Sequence, residues 1–188
     1  MGMAAPLDFY TADMVRQLNE SSPWNGPRYE TVHGELLVSP APRLAHQDVV
    51  GNLYFALRLY LRHEPAGRAF MSPADISWGL PDVLAQPDVF IVPSEETTER
   101  EWKQILHLLL AAEVLSPSSV RADRFTKRRL YQEQGTPLCW VIDPDARSVE
   151  VWTPADTFPR MEREQLVWHP AGASAPFVLP LDELFSLH

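Results

Sequence analysis

A glutamate in the middle of an apolar run is the first residue that calls for a chemical explanation. Glu113 interrupts the stretch 108–115, which otherwise holds only Leu, Ala and Val. A carboxylate there is costly unless it is paired, protonated or bound to a metal. Asp88 follows Pro87 at the entrance of a second apolar run, 89–92. If the two runs are antiparallel neighbours, the start of one lies beside the end of the other and the two carboxylates approach. A divalent cation relieves the repulsion between them. Glu35, at the start of an earlier strand, offers a third oxygen ligand. Lys127 shares a helical face with Asp123 and Tyr131, each four residues away. Its ammonium can polarise an attacking water or stabilise charge developing on phosphorus. A hard, oxygen-ligated divalent ion beside a lysine suits phosphodiester hydrolysis.

Each of these residues also has a plainer structural account. Asp88 after a proline reads equally as a turn acid. Asp123 and Lys127 at helical spacing read as an exposed ion pair. His46 falls on an apolar helical face, where a satisfied core histidine is the commoner outcome. Glu35 beside Gly34 reads as an ordinary hairpin residue. Only Glu113 resists such treatment, so the case rests on the ordered set.

The elements that must position these residues follow from patterning. Thr11 caps a short helix to about residue 20, with Asp13 in its first turn. The Ser-, Pro- and Gly-containing segment 21–27 breaks it. Residues 28–33 and 35–39 read as a hairpin around Gly34. A long helix is predicted over about 44–63, with Val50, Leu53, Leu57 and Tyr60 on one face and His46 a turn before Val50. The runs 89–92 and 108–115 are apolar on both faces, as in central covered strands. Pro117 and Ser118 introduce a basic helix to about 134, closed by Gly135 and Pro137. Residues 138–142 form a further buried strand, and 148–153 the return arm of a hairpin. Strand, helix and strand make a crossover unit with its two strands parallel. The fold class is therefore α/β, a central mixed β-sheet flanked by helices.

The chain of 188 residues fits one domain, 1–188, with a core over about 28–153 and peripheral strands over 154–188. Hydrophobic residues at 45% and charged residues at 22% are globular rather than disordered proportions. The single cysteine, Cys139, excludes an intramolecular disulfide and a cysteine-based zinc cluster. It accords with a reducing cytoplasm. Residues 1–10 carry no basic stretch followed by an apolar run, so no secretory signal is expected. No apolar run is long enough for a membrane span. A net charge of -9 argues against a protein that coats nucleic acid by bulk electrostatics. The basic cluster Arg121, Arg124, Lys127, Arg128 and Arg129 leaves a local cationic surface open, or a solvated helix face.

The ordered set resembles the Uma-type family of putative restriction endonucleases, placed in the PD-(D/E)XK, or restriction-endonuclease-like, superfamily. The matching segments are His33-Gly34-Glu35-Leu36 with Ser39-Pro40, His46-Gln47, and Gln86-Pro87-Asp88-Val89. They continue with Glu113-Val114-Leu115-Ser116-Pro117-Ser118, residues 123–127, and Trp140-Val141-Ile142-Asp143. The resemblance implies a restriction-endonuclease-like core with extra N-terminal and C-terminal strands and a magnesium or manganese ion. Asp88 and Glu113 match the two signature acids, and Glu35 the acid supplied from upstream. The superfamily's usual lysine place holds Leu115, and Lys127 from the following helix matches the family's substitute.

The function expected is metal-dependent endonucleolytic hydrolysis of DNA. Asp88, Glu113 and Glu35 would hold the ion together with the Val114 carbonyl. His46, Gln47 and Arg124 would bind substrate. The resemblance also implies a homodimer, since nucleases that cut both strands often pair their sites across a two-fold axis. The alternative is a catalytically inactive binding or regulatory protein on the same scaffold, favoured by the acidic charge and by Leu115. Glycoside hydrolysis by the carboxylate pair leaves the lysine unexplained.

Overall fold

A computed structural model describes residues 9–23 and 25–187. Most of the N-terminal segment considered for a secretory signal, and Trp24 in the Ser-, Pro- and Gly-containing segment 21–27, lie outside the described residues. Helix α1 spans Ala12–Ser21, and the Thr11 hydroxyl accepts from the Met14 amide as its N-cap. Strands β1 (Arg28–Val32) and β2 (Glu35–Ser39) form an antiparallel hairpin. Its turn residues His33 and Gly34 both have positive φ, 51° and 81°. That pairing is the turn geometry a twisted two-residue hairpin needs. Helix α2 runs over Leu44–Tyr60.

A six-stranded sheet follows, in the order β3 (Arg68–Met71), β4 (Val89–Val92), β5 (Leu110–Val114), β6 (Cys139–Asp143), β7 (Ser148–Trp152) and β8 (Arg160–Glu162). Neighbours are antiparallel except β5 and β6, which are parallel. The chain crosses between those two through a π-helical segment, Ala122–Lys127, that continues into α3, Arg128–Glu133. Every residue of β4 and β5 is buried, because both sheet faces are covered. On one face Val89, Ile91, Leu110, Ala112 and Val114 pack with α2 residues Val50, Leu53 and Leu57. On the other, Phe90, Ala111, Leu115, Cys139 and Val141 pack with Leu130 and Tyr131. The two sets alternate along each strand, as the pleat requires.

Strands β9 (Gln165–Trp168) and β10 (Phe177–Pro180) pair with each other outside the main sheet, and α4 (Leu181–Leu184) follows. The segment expected at the periphery in fact completes the core. Leu166, Trp168, Phe177, Leu179, Leu181 and Leu184 are buried with the α2 face of the sheet. Short strands that alternate in burial, as β10 does with Phe177 and Leu179 inward and Val178 and Pro180 outward, carry an inward face that a reading by length alone undervalues. No helix among the described residues is long and apolar enough to cross a membrane.

Candidate active site

The register that pairs β4 with β5 sets Val89 opposite Ala112 and Phe90 opposite Ala111. Extended by one step, it brings Asp88 opposite Glu113 at one end of the two strands. Directly opposed residues of an antiparallel pair share a sheet face, so the two acids converge. Asp88 Oδ2 accepts the Val114 amide N–H at 2.9 Å, which ties the Asp88 carboxylate to the residue after Glu113. Both acids are almost wholly buried, at 3% and 0% exposure.

Lys127 is buried beside them, at 1% exposure. Its Nζ lies 2.8 Å from Glu113 Oε1 and 2.9 Å from Glu30 Oε1, with Asp123 Oδ1 at 3.8 Å. It also donates to the Gln86 carbonyl at 3.4 Å. The π-helical turn explains this placement. In it Asp123 and Lys127, four residues apart, both face the sheet and are buried. Tyr131, another four along, donates its hydroxyl to Glu113 Oε1. Glu113 Oε2 is buried and has no hydrogen-bond partner among the described residues.

Charge is strongly redistributed within this cluster. Burial pushes the Glu113 carboxyl well above the usual range; Lys127 opposes that, while Asp123, Asp88 and Glu30 add to it. Burial likewise pushes Asp123 up to about 6, against the pull of Lys127. Burial alone would lower the Lys127 ammonium, but Glu113, Glu30 and Asp123 outweigh it and hold the side chain protonated. Asp88 moves the other way. Burial alone would raise it, yet the His46 bond, the Arg28 guanidinium, the His46 charge and Lys127 hold it well below the ordinary carboxylate range. Asp88 is thus held ionised, whereas on Glu113 burial works against the charge and Lys127 favours it.

A cleft of about 460 Å³ opens onto this cluster. Asp88 and Asp123 line it, together with Arg28, His46 and Gln47, whereas Glu113 and Lys127 lie beneath its surface. His46, on the first turns of α2, places Nε2 3.2 Å from Asp88 Oδ2. Arg28 NH1 and NH2 each stand 3.4 Å from Asp88 Oδ1.

Of the residues singled out from sequence, Asp88, Glu113 and Lys127 come together with Asp123 and Tyr131, and His46 and Gln47 reach the cleft. Two do not join them. Glu35 is exposed at the hairpin turn, opposite Val32. Glu30, opposite Leu37 and two residue pairs deeper in the hairpin, is the upstream acid that contacts Lys127. Glu30 also accepts the Gln86 amide N–H at 2.6 Å. Arg124 does not line the cleft. It lies one residue past Asp123 and turns toward β6 and β7, where it bonds Glu150 at 2.6 Å and Asp143 at 3.2 Å. Arg28 and Glu30 escaped the sequence reading; their one signal is that two charged residues alternate along a short strand.

The donor set can be tested against a divalent ion. Among the described residues no three His, Cys, Asp or Glu side chains stand together as a complete metal cage. The expected trio with Glu35 is therefore not assembled. Ionised Asp88 and the unpaired Glu113 oxygen remain. Two carboxylates fit a hard ion such as magnesium, which keeps several waters.

A six-stranded mixed sheet with flanking helices is the restriction-endonuclease-like fold that the sequence led one to expect. The crystal structure of a protein described as a putative nuclease belonging to DUF820, from Anabaena variabilis, is similar to this chain with a TM-score of 0.73. It is 24% identical, and the likeness covers 94% of this chain and 97% of that one. No curated protein matches the chain. The chain belongs to the Uma2 family, "Putative restriction endonuclease", whose model matches residues 15–180. That membership gives it a nuclease-like character.

Proposed function

We propose that this protein is a magnesium- or manganese-dependent endonuclease that hydrolyses DNA phosphodiester bonds. The observation that carries this reading is the unpaired, buried Glu113 oxygen beside an ionised Asp88, with the Lys127 ammonium 2.8 Å from the same carboxylate. Asp88, Glu113 and the Val114 carbonyl would hold the ion, which would supply Lewis acidity and an activated water. Lys127, held protonated by its carboxylate neighbours, acts as a fixed positive charge rather than a base. Glu30 fixes the lysine by an ion pair, and Tyr131 fixes Glu113 by a hydrogen bond. His46 orients Asp88. A cut through both strands needs two such clefts, which a two-fold pair of chains would supply.

Supercoiled plasmid with manganese provides the test. Asp88→Ala and Glu113→Ala should each reduce nicking by at least about a hundredfold, a loss typical of removing one electrostatic stabiliser, with the far-ultraviolet circular dichroism unchanged. Undiminished nicking in both variants removes the mechanism.

The second reading, a scaffold that binds without cutting, is favoured by the tight engagement of Lys127 with Glu113 and Glu30. Calorimetric titration with magnesium and with manganese separates the two. Absence of binding by either ion favours the inactive scaffold.

A further inference from the structure

Arg28 is held in the cleft quite differently from Lys127. Lys127 makes two short ion pairs, at 2.8 and 2.9 Å, and is buried. Among the described residues Arg28 makes only long ones. Both of its terminal nitrogens stand 3.4 Å from a single oxygen of Asp88, and its Nε is 3.7 Å from Glu30 Oε2. A guanidinium seated on a carboxylate would form paired bonds of about 2.7–2.9 Å. The same Nε is buried and has no hydrogen-bond partner among the described residues. The Arg28 side chain nevertheless keeps 28% of its surface exposed. Among the described residues that line the cleft, it is the only Lys or Arg.

The other walls of the cleft offer little that would attract a polyanion. They are formed largely by Pro27, Pro40, Pro42 and Pro73 and by neutral polar side chains such as Ser39 and Ser116, with Asp88 and Asp123 below. A phosphodiester entering this space meets two acids, the His46 ring and the Arg28 fork of donors. The fork's five N–H groups suit a phosphate better than the single Asp88 oxygen that its two terminal nitrogens now share.

We propose that Arg28 is the phosphate-binding side chain of the cleft: it exchanges its long contacts with Asp88 for bonds to a strand phosphate when DNA enters. This rests on the nuclease reading for its choice of ligand. The exchange adds a contact to substrate and releases one Asp88 oxygen at the same moment.

Binding of a short fluorescein-labelled single-stranded oligodeoxynucleotide, followed by anisotropy with chelator present, tests this without any cleavage. The salt dependence of binding is the readout, because each neutralised phosphate contributes about 0.7 to the slope of log K against log salt on a single strand. Arg28→Gln should bind roughly tenfold more weakly at low salt and lose about 0.7 from that slope. Arg28→Lys should keep the slope but bind at least about threefold more weakly, since a point charge lacks the fork. Thermal melts show whether each variant is folded. If the glutamine variant does not fold, the lysine variant decides by its affinity. A slope unchanged in Arg28→Gln, an affinity unchanged in Arg28→Lys, or no binding by the unaltered protein each overturns the proposal. Failure of the nuclease reading is seen separately: an Arg28-dependent slope with no manganese-dependent nicking leaves Arg28 a phosphate contact on an inactive scaffold.

Discussion

Asp88 and Asp123 line one cleft yet are perturbed in opposite directions, so their substitution should have opposite effects on stability. Asp123 is raised from 3.8 to about 6 by burial. Between those values the unfolded chain loses its proton while the folded one keeps it, so stability falls as pH rises from about 4 to 6 and then levels off. Asp123→Asn should therefore stabilise the protein by about 2–3 kcal/mol near pH 7, from a shift of roughly two units, and the gain should vanish near pH 4. Asp88 is lowered, so its ionised form contributes stability at neutral pH that is lost only in strong acid. Asp88→Asn should cost about 1–3 kcal/mol at pH 7 by weakening charged hydrogen bonds from Arg28 and His46. Denaturant titrations with chelator present, at pH 4 and pH 7, check both signs. A loss of stability in Asp123→Asn at pH 7 would contradict the burial argument. Glu113 and Asp88 were legible in the sequence because a carboxylate beside or within a two-sided apolar strand has few ordinary uses. Glu30 was not. It sits in β1, whose buried residues Glu30, Thr31 and Val32 break the alternation that marks a functional face, and the hairpin register separating it from Glu35 is a tertiary fact.

The elements that patterning predicts are those with long or two-sided apolar signals: α2, β4, β5, β6 and β7. The hairpin β1–β2 was legible from its turn. Gly34 adopts φ +81°, where an added Cβ would also run into the Phe9 ring. Gly34→Ala should cost about 1–2 kcal/mol, the penalty for a left-handed residue with a side chain. It should lower Tm by roughly 2–8 °C in a chain of this size, as differential scanning fluorimetry would show. A Tm unchanged within error would mean the turn rearranges freely. Strand β3 escaped the sequence reading because only Ala69 of its four residues is buried. The π-helical segment escaped it for another reason: spacing of four marks one face in either helix, so residue types alone do not reveal the wider turn that brings Asp123 and Lys127 inward together.

At the scale of the whole molecule, the six-stranded sheet is covered on both sides by unlike layers. One cover comes from α2 with the C-terminal hairpin, where Tyr60 meets Trp168 and Phe177 edge-on or tilted. The other comes from α3 and the loops around Trp78, whose ring stands 6.1 Å from Tyr131. Sequence patterning identified the first layer's helix but assigned the hairpin to the rim, because two four-residue strands carry too few apolar positions to announce a core contribution. Between the layers, on the α3 side, lies the single cysteine. Cys139 is 1% exposed, pairs with Ala111 across the parallel strands, and has its thiol pushed well above its ordinary value, chiefly by burial.

A thiol so placed is chemically silent until the sheet parts. Only the thiolate attacks an alkylating or disulfide reagent, and here neither solvent nor ionisation is available to it. Labelling by a small aromatic disulfide should then proceed no faster than the opening that separates β5 from β6, and should accelerate with denaturant in step with loss of the circular dichroism signal. Rapid modification of the native protein would show that this strand pair breathes independently. One sulfur atom thereby serves as a clock for the integrity of the layer on which Glu113 and Lys127 are mounted.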